Sequence, residues 1–154
     1  MGQIDAKLQQ LGITLPEPAA PVANYVGYVT TGNLVFVSGQ VPFKNGKLEF
    51  IGKVGGELTP EQGAEAARWC AINILAQVKA ACGGNLDRVK RCVKLGGFVN
   101  AVPDFKDHPK VINGASDLIV EVLGDKGRHA RFALGAGSLP ANTAVEIDAV
   151  FEIE

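Results

Sequence analysis

The stretch His129–Pro140, HARFALGAGSLP, sets an arginine among residues with almost no side chain. Read with period two, Ala130, Phe132 and Leu134 share one face of a strand, while His129, Arg131, Ala133 and Gly135 share the other. A planar guanidinium beside Ala and Gly has room for a small carboxylate gripped by two parallel N–H bonds. Further on, in TAVEIDAVFEIE, Glu146 is a second candidate: a carboxylate near a pocket arginine can position a water or carry a proton. Each residue also has an ordinary reading. Strand arginines are commonly salt-bridged at the surface, and outward glutamates are commonly just solvated. The strands of Arg131 and Glu146 flank the short loop SLPAN, so adjacent strands are one arrangement the spacing allows.

Other polar residues are weaker signals taken alone. Tyr25 reads as core packing with its hydroxyl at a rim. Ser38-Gly39 reads as a strand end where glycine permits close backbone approach, and Asn113 as a polar helix residue. The cluster Arg88, Lys90, Arg91 and Lys94 lacks interleaved aromatics and reads as one solvated strand face.

Composition narrows the classes. The chain of 154 residues is one domain long, 47% apolar and 20% charged, with net charge −1. That balance sets up no field for nucleic acid or an anionic membrane. No apolar run approaches the roughly 20 residues a bilayer span needs. The start, MGQIDAKLQQLG, lacks the basic and apolar segments of a secretory signal. Three cysteines, Cys70, Cys82 and Cys92, without Cys-x-x-Cys spacing, indicate reduced thiols and a cytoplasmic location. The two histidines, His108 and His129, have no ligand-like spacing, so no metal is expected.

The elements that must position these groups follow from periodicity and punctuation. Ile4, Leu8 and Leu11 have helical spacing, stopped by Gly12, and the proline-rich LPEPAAPVAN then runs extended over the surface. YVGYVTTGNLVFVSGQVP reads as a hairpin about a Thr-Gly-Asn turn, and residues 43–58 as a long glycine-rich loop. Thr59-Pro-Glu-Gln62 is a capping box that opens a helix to Ala81 or Cys82. LDRVKRCVKLGGFVN is a turn into a strand. After Pro103, DFKDHPKVINGASDLIVEVLGDKG gives a second helix ending near Gly124. The last strands are placed at 128–137 and 143–153. The predicted order ββ–α–β–α–ββ is an α+β layer fold, with two helices on one face of a mixed or antiparallel sheet. The bare face must meet solvent or another subunit.

These residues together resemble the reactive intermediate deaminase (Rid) family, also called YjgF-like and labelled endoribonuclease L-PSP. The resemblance covers residues 22–154 as a single domain, with 1–21 as an N-terminal helix and proline-rich extension. It rests on NYVGYVTTGNLVFVSGQVP, the capped helix from Thr59, INGASDL, and ARFALGAGSLPANTAVEIDAV. The last is the most specific, with Leu139-Pro140 following the Ala-Arg pair and Val145-Glu146-Ile147 beyond it.

The resemblance implies a chorismate-mutase-like fold, assembled as a homotrimer with sites in inter-subunit clefts. It implies cofactor-free hydrolysis of enamines and imines such as 2-aminoacrylate to 2-keto acids and ammonia. Arg131 would grip the substrate carboxylate and Glu146 would hold the attacking water. Tyr25, the backbone at Gly39, Asn113 and Ala133 would shape the pocket. Family members usually carry cysteine where this chain has Ala133, and larger residues where it has Gly135 and Gly137, which implies a wider pocket. Two other functions remain in view: non-catalytic sensing of 2-keto acids in the same cleft, and ribonuclease action, disfavoured by the neutral charge.

Overall fold

A computed structural model describes residues 2–154. Helix α1 (Gln3–Gln10) buries Leu8 against the body, and its first amides, of Gln3 and Ile4, donate to the Asp87 carboxylate at 2.9 and 3.0 Å. Asp87 therefore caps a helix more than eighty residues away in sequence, and those two amides hold its carboxyl below the usual carboxylate range.

Strands β1 (Tyr28–Thr31) and β2 (Leu34–Gln40) form the expected hairpin, turning through Gly32 at φ 58°. The stretch expected to be plain loop instead holds a small second hairpin, β3 (Phe43–Lys44) and β4 (Lys47–Leu48). Its turn is Asn45-Gly46 with φ of 53° and 78°, the left-handed pair that suits strand twist. The Asn-Gly dipeptide was the signal in the sequence for this correction.

Helix α2 (Pro60–Ala81) begins as its capping box dictates: Gln62 N donates to Thr59 Oγ1 at 3.1 Å and Thr59 N to Gln62 Oε1 at 2.8 Å. Strand β5 (Val89–Asn100) leads to helix α3 (His108–Leu123), which starts later than residue 104 because Pro103 and Asp104 form a turn, with Phe105 N donating to Val102 O at 3.1 Å, and residues 105–107 run on irregularly to the helix. Strands β6 (Ala130–Ala136) and β7 (Val145–Ile153) complete the fold.

The main sheet runs β1-β2-β7-β5-β6, antiparallel except for the β5–β6 pair. A parallel pair needs a crossover, and α3 supplies it. Central β7 alternates fully buried Val145, Ile147 and Phe151, and near-buried Ala149 and Ile153, with outward residues. Both long helices cover that buried face. They touch closely at Gly114 of α3, where any side chain would overlap the Ala64 carbonyl of α2. The opposite face is left bare, and Val29, Phe36, Phe98 and Leu134 stand 53%, 45%, 36% and 51% exposed on it. Among the described residues, no helix is long and apolar enough to cross a membrane.

Candidate functional site

Arg131 lies on the edge strand β6, in register with Leu95 of β5. Leu95 is fully buried beneath the helices, so Arg131 is on the helix side of the sheet. Its Nη1 donates to Asn113 Oδ1 at 2.9 Å and to Ser116 Oγ at 3.1 Å. These acceptors are three residues apart on α3 and so share one helix face. The guanidinium forms no ion pair with any carboxylate among the described residues. It is half-buried and tied only to neutral oxygens, and its Nε and Nη2 make no protein hydrogen bond among those residues. Two of the expected residues, Arg131 and Asn113, are thus brought together.

The small residues of β6 have a second use that the sequence reading missed. A Cβ at Gly135 would stand 2.6 Å from His108 Nε2, and one at Gly97, in register with Ala133, would stand 2.7 Å from Ile112 Cδ1. Much of the missing side-chain volume therefore seats α3 on the strand, and Ala133 packs against the core.

Glu146 belongs to a different place. With Tyr25 and Gly39 it lines a cleft of ≈ 270 Å³, to which Ala19–Val22 of the N-terminal strap and Pro140 also contribute. Gly39 sits where the β2–β7 register slips between Val37 and Gln40. A side chain there would collide with the Glu146 carboxylate, so glycine lets the backbone meet the acid directly. Ser38 anchors the neighbouring segment, its N–H donating to Gly27 O at 2.9 Å and its Oγ to Val26 O at 2.6 Å. The strap is held by Gln77 Nε2, which donates to Ala19 O at 3.2 Å. Burial, and secondarily the nearby Asp148 charge, push the Glu146 carboxyl above its usual range. Such an acid holds its proton closer to neutral pH, as a proton carrier requires.

Arg131 and Glu146 do not meet within one chain. Strand β5 lies between their strands, which corrects the neighbouring-strand arrangement. Glu146 is in register with Phe98, on the bare side of the sheet. Residues absent from the sequence-based set now join it. Ser116 and His129 sit behind Arg131 with Ser116 Oγ 2.9 Å from His129 Nε2, and Pro140 and the strap frame the cleft. His129 shared the arginine's strand face and Ser116 its helical spacing from Asn113, so both were visible as pattern. The prolines of LPEPAAPVAN announce an extended strap, but not its place in the cleft, which is set by contacts distant in sequence such as Gln77 with Ala19.

The chain matches, over residues 5–152, the family described as "YjgF/chorismate_mutase-like, putative endoribonuclease". It belongs to that family. The matched span takes in most of α1 as well as the sheet domain. This YjgF-like chain is 50% identical over 153 residues to protein TCP17 of Trypanosoma cruzi, covering 99% of this chain and 95% of that one. It is similar in structure to Atu1372 of Agrobacterium tumefaciens, a protein of unknown function, at TM-score 0.93 and 51% identity over 98% and 92% of the two chains. A Shewanella oneidensis structure described as "a putative endoribonuclease" superposes at TM-score 0.95, with 36% identity over 99% and 100% of the chains. The YjgF-like assignment carries the chorismate-mutase-like α+β fold with it.

Proposed function

We propose that this YjgF-like protein hydrolyses small imines or enamines bearing a carboxylate, releasing a 2-keto acid and ammonia. The observation that carries the reading is Arg131, a half-buried cation that among the described residues has no acidic partner and leaves its Nε–Nη2 edge unbonded. An edge of that kind grips a carboxylate with two parallel hydrogen bonds. An imine is already electrophilic, so fixing its carboxylate and presenting a water supply most of what hydrolysis needs; positioning alone lowers barriers by several, up to about 7–11, kcal/mol. Glu146, with its raised pKa, is the group to hold that water and return its proton.

The reading requires two copies. The arginine half-site lies on the β6 edge, and the glutamate half-site opens on the bare face and at the strap. A head-to-tail ring would bring one copy's β6 edge to its neighbour's cleft, burying the exposed Val29, Phe36, Phe98 and Leu134. A homotrimer is the ring proposed, and its location is the cytoplasm, where three free thiols persist.

The test is keto-acid release when the protein is added to a dehydratase that sheds 2-aminoacrylate. Arg131→Ala should lower the accelerated rate at least about 100-fold with the oligomer intact. Unchanged turnover in that variant removes the function. A binding role is the second reading, favoured by the completeness of the arginine half-site within one chain. Calorimetric pyruvate binding without any acceleration of hydrolysis would select it.

A further inference from the structure

The side chains behind Arg131 form a chain whose hydrogens can be assigned. The Gly127 carbonyl can only accept, and it lies 2.6 Å from His129 Nδ1, so Nδ1 carries the ring proton. When the ring is uncharged its other nitrogen, Nε2, is an acceptor, and Ser116 O–H donates to it across 2.9 Å. With its hydrogen committed to the histidine, the Ser116 oxygen turns its lone pairs toward Arg131 Nη1, which donates at 3.1 Å. The second Nη1 hydrogen goes to Asn113 Oδ1 at 2.9 Å. Both hydrogens of Nη1 are therefore used, which leaves the Nε–Nη2 edge as the face a carboxylate meets.

We propose that His129 is a positioning residue for Arg131, acting through the Ser116 hydroxyl to fix which edge of the guanidinium is offered to a bound carboxylate. The proposal rests on the carboxylate-binding reading of Arg131. Without an acceptor at His129, the Ser116 hydroxyl is free to bond back to the carbonyl four residues earlier in α3, as helical serines do. The guanidinium then keeps one oriented acceptor, Asn113, and can rotate about it. Backbone Gly127 sets the tautomer, so the device is built from the turn preceding β6, through the ring, to the edge strand itself.

Two measurements test it. Calorimetry with pyruvate compares the wild type with His129→Ala, His129→Gln, Ser116→Ala and Arg131→Ala. His129→Ala and Ser116→Ala should each weaken binding about five-fold. His129→Gln, whose amide oxygen can take the place of Nε2 as acceptor, should stay within about two-fold of wild type, a rescue that general loosening of the strand would not show. Nitrogen NMR of the imidazole should show the Nδ1–H tautomer in the wild type and a displaced Nε2 resonance in Ser116→Ala. Wild-type affinity in His129→Ala, equal losses in the Ala and Gln variants, or an Nε2–H tautomer would each overturn the relay. Should His129→Ala not fold, Ser116→Ala carries the same comparison. Arg131→Ala separates the two claims: if it binds pyruvate as the wild type does, the carboxylate site itself is wrong and the relay falls with it. If it alone loses binding, the site stands and only the relay is lost.

Discussion

Arg131 and Glu146 lie on opposite faces of one sheet with β5 between them. Arg131 pairs with buried Leu95, and Glu146 pairs with Phe98, which is open to solvent. No side-chain rotation joins them, because the sheet itself is the barrier. Any reaction using both draws them from two copies of the chain.

Subunit complementation follows from that separation. Arg131→Ala and Glu146→Gln each damage a different half-site, so each homo-oligomer should be inactive. Unfolding and refolding the two variants together should restore about a quarter of wild-type turnover if copies mix at random in a head-to-tail ring. No recovery in verified mixed oligomers would place both residues outside a shared site.

The Glu146 carboxyl also has a stability signature. Its pKa is raised on folding, so the native state binds its proton more tightly than the unfolded chain does. The charged form is the costly one, and wild-type stability falls as pH rises from the unfolded carboxylate range through the folded value. Glu146→Gln removes a charge and keeps the shape. The variant should melt above the wild type at pH 7, with the gap closing at pH low enough to protonate both states. A Tm difference that grows toward acid would reverse the sign and refute the assignment of cost. Solvent screening of this half-exposed group keeps the effect small.

The thiols should be silent in the native protein. Cys70, Cys82 and Cys92 are 0%, 2% and 0% exposed. Burial raises the thiol of each, that of Cys92 to about 12, with the Glu146 charge a lesser contribution at Cys70. Without thiolate there is little nucleophile. A colorimetric thiol reagent at pH 8 should titrate close to none before denaturation and all three after it. Rapid native labelling of any one would show that its packing opens.

Gly114 is a close contact between the two long helices. Gly114→Ala drives a methyl into the Ala64 carbonyl, and the two helices must separate to admit it. Overpacking of this sort costs about 1–3 kcal/mol. Urea unfolding should show a lower midpoint with little change of slope. By contrast Gly137→Ala, with open space around its Cβ, should leave the midpoint nearly where it was.

The legible parts of the fold were those written in neighbouring residues. The α2 start is a four-residue capping box, and the β7 face is an alternation that survives in the structure position by position. The hairpin at Asn45-Gly46 is equally local, but its dipeptide lies among other glycines that suggest plain loop. For the site, Arg131 and Asn113 were found and are bonded, and Tyr25, Gly39 and Glu146 were found and share a cleft. Their division into two half-sites was not visible, because residues close in sequence across SLPAN are separated by a strand that comes thirty residues earlier.

Local sequence carries the α2 start, the apolar face of β7 and the polar residues that break those patterns. Caps, turns and periodicity act over a few residues, so their energetics can be read there. Tertiary structure alone decided that β5 lies between β6 and β7. The parallel crossover through α3 docks β6 on one edge of β5, which leaves the other edge to β7, whose inward residues need helices above them and strands on both sides. That choice is made by burial summed over the whole sheet, and it put the arginine and the glutamate on opposite sides of a wall.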